Sequence, residues 1–175
     1  MPSPVLTIEL RGQAELLRDF SKLSANKKAE AVYLIKRTSL EIMNDAKREC
    51  KTDMGLLRAS IRPTYYQGGL TAYIGSDVKY AAFVEYGTGP LGASTNRQDL
   101  PDGYAHGSSG KFPPLILIRE WCKRVGLDEK LAFVIARSIG KHGLKARPYL
   151  GPALEKHRSE FLAYLRKIVN REPLS

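Results

Sequence analysis

Cysteine and histidine are scarce in this sequence. The two cysteines, Cys50 and Cys122, lie far apart, with no Cys-x-x-Cys pairing and no histidine at ligand spacing. That pattern argues against a disulfide framework or a zinc site and predicts two small buried residues in a reduced compartment. The three histidines, His106, His142 and His157, include no pair at metal-ligand spacing, so neither a metal nor a cofactor is expected. No apolar run approaches the ~20 residues of a membrane span. The opening "MPSPVLTIEL" has no basic region followed by an apolar core, so the expectation is a soluble chain made in a cytoplasm, without a signal peptide. Neither G-x-S-x-G nor the phosphate-binding G-x-x-x-x-G-K-[ST] occurs, and no helix-turn-helix with a readable recognition face is visible.

Positive charge, by contrast, is in excess. The net charge is +10, and it is unevenly placed: residues 1–110 hold 14 basic and 12 acidic side chains, residues 111–175 hold 14 and 6. A basic half points to nucleic acid or an acidic protein surface; its plain alternative is a solvated helix face. At 175 residues and 43% hydrophobic, the chain suits one domain with its own core.

"VLTIEL" alternates and predicts a strand, and "QAELLRDFSKL" a short amphipathic helix. "SANKKAEAVYLIKRTSLEIMNDAKREC" predicts a long helix capped by Ser24, with Ala25, Ala29, Val32, Ile35, Ser39, Ile42, Ala46 and Cys50 on one face. After Asp53 and Gly55, "LLRASIRPTYY", "QGG" and "LTAYIGS" read as strand, turn and strand, with Pro63 marking an edge or bulge. "VKYAAFVEYGT" favours a turn or two of helix over a third strand. Residues 87–113, rich in Gly, Ser, Pro and Asn, read as a long contact loop ordered by a partner. From Pro114 onward "LILIREWCKRVGL" and "DEKLAFVIARSIGKHG" predict a helical hairpin, with Asp128 near the second start and Gly143 near its stop. An extended "ARPY" leads into a last helix striped by Leu154, Phe161, Leu162, Leu165 and Ile168. The expected fold is α+β: a small antiparallel sheet packed against a long N-terminal helix and a C-terminal helical region. It forms a single domain over 1–175, with strand and helices to 51, hairpin and turn over 52–88, contact loop over 89–113 and helices over 114–175.

Three chemical readings compete. "GTGPLG" spells G-x-G-x-x-G, but Pro90 and the following "ASTNRQDLPDG" deny it the helix that a dinucleotide site needs. Glu85, the one carboxylate in an apolar setting, would be a catalytic acid if its pKa were raised, yet no second carboxylate or base accompanies it. A structural, paired Glu85 is the better expectation. Trp121, Phe133, Tyr149, Phe161 and Tyr164 accompany the basic half, but most lie at core spacing and make a poor base-stacking platform. Lys141, Lys145, Arg147, Lys156, Arg158, Arg166 and Lys167 are still able to line a sequence-blind phosphate surface.

Four stretches in order, "TDMGLLRASI" (52–61), "VKYAAFVEYGT" (78–88), "FPPLILIREW" (112–121) and "ARPYLGPAL" (146–154), resemble the gene-product-ten-like family of tailed bacteriophages, the neck or tail-completion proteins of the head–tail connector. The resemblance spans roughly residues 5–165, and "YAAFVEYGT" with "ARPYLGPAL" is its more specific pair. Met54 where Thr is usual, Tyr149 where Phe is common, and the long loop after Thr88 depart from the pattern. The resemblance implies a structural virion protein and no enzyme. It implies a homo-oligomeric ring of six or twelve copies in the neck, assembled in the host bacterial cytoplasm. The implied neighbours are a head-completion, stopper or adaptor protein, a tail terminator or tail tube protein, and passing genomic DNA. On this reading Tyr80, Glu85, Tyr86, Gly87, Thr88, Arg147, Pro148, Tyr149 and Leu150 are candidates for the assembly interface, Glu85 being an orienting charge paired with Arg147. Lys141, Lys145, Lys156, Arg158, Arg166 and Lys167 are candidates for a surface toward DNA or an acidic partner. The alternative function is sequence-nonspecific nucleic-acid binding without assembly; a small hydrolase using Glu85 and a histidine is the third.

Overall fold

Three strands and seven α-helices occur in the computed structural model, which describes residues 6–10, 24–50, 55–78, 80–94, 107 and 111–170. The fold is α+β. Strands β1 (Leu6–Leu10), β2 (Arg62–Tyr66) and β3 (Thr71–Ser76) form one antiparallel sheet in the order β1-β3-β2. The helices are α1 (Ala25–Glu49), α2 (Leu56–Ser60), α3 (Ala81–Tyr86), α4 (Gly89–Ala93), α5 (Leu115–Val125), α6 (Leu131–His142) and α7 (Leu150–Asn170). The chain divides into two compact units, one of residues 1–81 with 148–175, the other of residues 82–147.

In the first unit β3 is the central strand. Tyr73 pairs with Glu9 on one side and Thr64 on the other, and Ile74 faces Pro63 across the β2 ladder. Pro63 thus sits on an edge strand, where its missing N–H leaves no gap in a central ladder. β3 alternates along its length, burying Ala72, Ile74 and Ser76, and the sheet packs against α1. A 3-10 turn over Gln67–Gly69 closes the hairpin as expected from "QGG". The buried polar residues of α1 are satisfied: the Ser39 hydroxyl donates to the Lys36 carbonyl at 2.8 Å, which leaves Tyr65 to donate to Ser39 at 2.9 Å.

The α1 core face differs from the one expected. Ile35, Ser39, Ile42, Ala46 and Cys50 are buried, but Ala25 and Ala29 are exposed, while Ala31, Thr38 and Asp45 are buried instead. The stripe turns because α1 also packs along α7, so two neighbours share its surface. Contacts at both ends show the two helices to be antiparallel. Lys27 donates to the Val169 carbonyl at 3.0 Å, and Asp45 meets Lys156 at 2.7 Å. Ser24 is the N-cap, its hydroxyl accepting from the Lys27 N–H at 3.4 Å. At that length the cap is modest, so Ser24→Ala is expected to lower stability by about 0.5–1 kcal/mol in urea titration.

A second difference lies before the hairpin. The strand expected over "LLRASIRPTYY" is confined to Arg62–Tyr66, and Leu56–Ser60 is helical. Gly55, left-handed at φ 67°, starts the turn, and fully buried Leu57 holds it against the core. The helix ends before Pro63 because a residue preceding proline is driven to extended geometry.

In the second unit α5 and α6 form the expected helical hairpin, joined across left-handed Gly126. Asp128 accepts from the Lys130 N–H at 2.9 Å and shapes the start of α6. α4 packs on α6. The expected irregular loop therefore begins later than position 89. Gly89–Ala93 is helical, because Pro90 presets the first turn. Most of the remaining loop, 95–106 and 108–110, lies outside the described residues, as do "QAELLRDFSKL" and Thr52, Asp53 and Met54. Cys50 and Cys122 are both buried, as expected.

Candidate functional site

The helix α3 forms within "VKYAAFVEYGT", and its start is fixed by a short relay of hydroxyls. Ser60 donates to the Leu57 carbonyl at 2.8 Å, Ser76 donates to Ser60 at 2.6 Å, and Ser76 accepts from the Val78 N–H at 3.1 Å. The Val78 carbonyl then accepts from the Ala81 N–H at 2.9 Å. Tyr80 stands at the margin with 37% of its surface exposed. Burial pushes its phenol above the ordinary tyrosine pKa, with the Leu57 backbone pulling it back in part.

Past α3 the chain is stitched to the segment after α6. The Thr88 N–H donates to the Leu144 carbonyl at 2.8 Å, the Leu144 N–H donates to the Thr88 carbonyl at 3.0 Å, and the Arg147 N–H donates to the Val84 carbonyl at 2.8 Å. The Thr88 hydroxyl also accepts from the Leu144 N–H at 3.0 Å. Two glycines make this closeness possible. A Cβ on Gly87, at φ 76°, would lie 2.6 Å from the Leu144 oxygen and 2.7 Å from the Ala146 nitrogen. A Cβ on Gly143, at φ 80°, would overlap the Thr88 carbonyl.

The nine candidate interface residues separate by exposure. Glu85 (1% exposed), Tyr86, Gly87, Tyr149 and Leu150 are buried within the chain. Tyr80, Arg147 and Pro148 are exposed, and Thr88 is half-buried. Tyr86 and Tyr149 therefore serve this chain's own core. Glu85 is buried as its apolar setting predicted, whereas Arg147 is exposed and is tied to α3 through its main-chain N–H.

The six candidate basic residues fall in both units. Lys141 lies in the last turn of α6 and Lys145 follows the helix, while Lys156, Arg158, Arg166 and Lys167 lie on α7. At 3.6 residues per turn, Lys156 and Lys167 share a side of α7 to within about 20°, and Arg158 projects from nearly the opposite side. Arg158 pairs with Glu155 at 3.2 Å, and the Lys167 ammonium stands 5.4 Å from the Tyr164 ring centroid. Of the five aromatics, Tyr149 and Phe161 are buried and Trp121 is half-buried, while Phe133 and Tyr164 are 56% and 45% exposed.

A charged cluster outside the sequence-based expectations gathers around Asp45. Its carboxylate, 11% exposed, accepts from Lys156 Nζ at 2.7 Å and lies 2.9 Å from His157 Nε2; Arg48 bonds its other oxygen. Glu41 Oε2 stands 3.9 Å from His157 Nδ1, while its other oxygen pairs with Arg37 at 2.9 Å and raises that guanidinium's pKa. A signal was present: Asp45 follows Ile42 by three residues and so falls near the core face of α1. Among the described residues no group of His, Cys, Asp and Glu is arranged to hold a metal, and no helix is long and apolar enough to cross a membrane.

Compared with family models, with curated proteins and with solved structures, the chain matches none.

Proposed function

We propose that this chain is a structural subunit of a tailed-bacteriophage virion, forming a ring in the neck that helps join the tail to the DNA-filled head. The observation that carries the reading is the stitched junction. The two stretches with the more specific family resemblance are some sixty positions apart, yet Val84 and Thr88 of the first segment bond Arg147 and the adjoining Leu144. Side chains that carry a reaction would converge on a cleft; here main chain bonds main chain.

A ring needs a head-to-tail contact that closes on itself. Among the nine candidate interface residues the exposed ones are Tyr80, Arg147 and Pro148, residue types suited to the centre or rim of such a contact. Buried Glu85 acts as the orienting charge inside the junction. The partners proposed are further copies of the chain, six or twelve in number, a head-completion, stopper or adaptor protein on one side, and a tail terminator or tail tube protein on the other. The place is the virion neck, reached by assembly in the host cytoplasm; the role requires no catalysis and no cofactor.

Electron microscopy of the purified protein is expected to show closed rings, and particles made without it are expected to be filled heads lacking tails. A monomer together with complete particles made in its absence overturns the reading. Glu85→Ala is expected to impair folding or ring closure; normal tailed particles carrying that variant would count against a role for the carboxylate. The second reading, a nucleic-acid binder that does not assemble, draws on the net charge of +10 and predicts a monomer or dimer on DNA.

A further inference from the structure

We infer that the cleft around Asp45 is a binding site for the phosphodiester backbone of nucleic acid, with Lys47, Arg48, Arg58 and Lys156 supplying the cations. It deepens the nucleic-acid side of the reading above, and its failure would leave ring assembly, scored separately by microscopy, untouched. The cleft, about 590 Å³ and open to solvent, lies wholly within the first unit and draws on α1, α2 and α7. Those four cations line it against two carboxylates, Asp45 and Glu41.

The carboxylates organise the cations without cancelling them. One Asp45 side chain holds both Arg48 and Lys156, whose side chains remain 66% and 62% exposed. Bringing two like charges to one point is unfavourable in the absence of the anion between them, so Asp45 fixes an arrangement that free side chains would avoid. An ammonium has three donors and a guanidinium five, so the acceptor they share leaves most of their donors open. Glu41 is engaged by Arg37. Lys47 and Arg58 then add two positive charges that Asp45 does not touch. A tetrahedral oxyanion is complementary to such a rim. The wide opening favours a phosphate carried on a chain over a small anion enclosed from water.

Fluorescence anisotropy tests this on the full chain, with a labelled duplex of about 20 base pairs, at salt from about 50 to about 200 mM. The Lys47→Gln/Arg58→Gln double variant leaves the Asp45 bonds intact. It is expected to weaken binding at least about tenfold and to flatten the log–log salt slope by about 0.9 for each phosphate that is no longer neutralised. Lys130→Gln/Arg137→Gln removes the same charge from exposed positions of the other unit and is expected to change affinity less than about threefold. The charge-preserving Lys47→Arg/Arg58→Lys variant is expected to bind as the parent does. If the double variant fails to fold, Arg58→Gln alone gives the same reading with half the slope change. No salt-sensitive binding by the parent protein, or equal losses in the two Gln double variants, overturns the proposal. So does displacement of the duplex by inorganic phosphate far beyond the effect of chloride at equal ionic strength, which would mark a small-anion pocket instead.

Discussion

Gly143→Ala is expected to destabilise the second unit by about 3–5 kcal/mol. Two effects add. The backbone at Gly143, φ 80° and ψ −160°, is a region open essentially to glycine, and an L-residue held there costs about 1–3 kcal/mol. The new methyl would also occupy the space of the Thr88 carbonyl and lie 2.9 Å from the Gly89 Cα, an overlap with backbone that no rotamer change relieves. Overpacking of that kind costs typically about 1–3 kcal/mol, and here it would break the paired bonds between Thr88 and Leu144. A control lies in the same helical hairpin. Gly126 ends α5 at φ 75°, yet a Cβ there meets nothing within 4 Å. Gly126→Ala should cost only the local strain, about 1–2 kcal/mol. Urea or thermal unfolding followed by circular dichroism separates the two. Equal losses at both positions would mean that the Thr88 segment yields to the methyl and that the junction is soft.

Asp45→Ala is expected to cost about 2–3 kcal/mol. Removing one partner from a buried ion pair typically costs about 3–5 kcal/mol, because the other charge is stranded. That figure needs discounting here. Arg48 and Lys156 are mostly exposed and water takes over their donors, so little of the loss comes from them. His157 is different: its side chain is 15% exposed, and its Nε2 would be left without the acceptor it has at 2.9 Å. For a protein of this length the melting temperature should fall by roughly 4–12 °C. Asp45→Asn, which keeps an acceptor, should recover part of the loss. A change below about 0.5 kcal/mol would show that the cluster is solvated and holds α1 and α7 together no better than a surface pair.

What could be read from the sequence followed the strength of each periodic signal. The long helix, the Gly-Gly hairpin and the helical hairpin declared themselves because apolar spacing ran over many residues or ended on glycine. "LLRAS" is five residues, barely more than one turn, and an alternating and a helical pattern are indistinguishable over that length. The face of α1 was misread at its N-terminal end, where Ala25 and Ala29 kept the period but not the neighbour. Packing against α7 from 111 positions away at Asp45–Lys156 is a tertiary fact that no local window contains. Glu85 was legible because a lone carboxylate in an apolar run has few places to go. Asp45 was not, because it sits among Asn44, Lys47 and Arg48 and looks like one more polar residue on a solvated side.

The antiparallel pairing of α1 with α7 sets a delay on the ribosome. The first unit is built from two stretches of chain with residues 82–147 between them. When α1 has left the exit tunnel, the helix that completes its surroundings has yet to be translated. At translation rates of about 5–20 residues per second, the 111 positions separating Asp45 from Lys156 correspond to roughly 6–22 seconds. During that interval part of the surface of α1 has only the sheet to rest on, and the nascent chain is at its most adhesive.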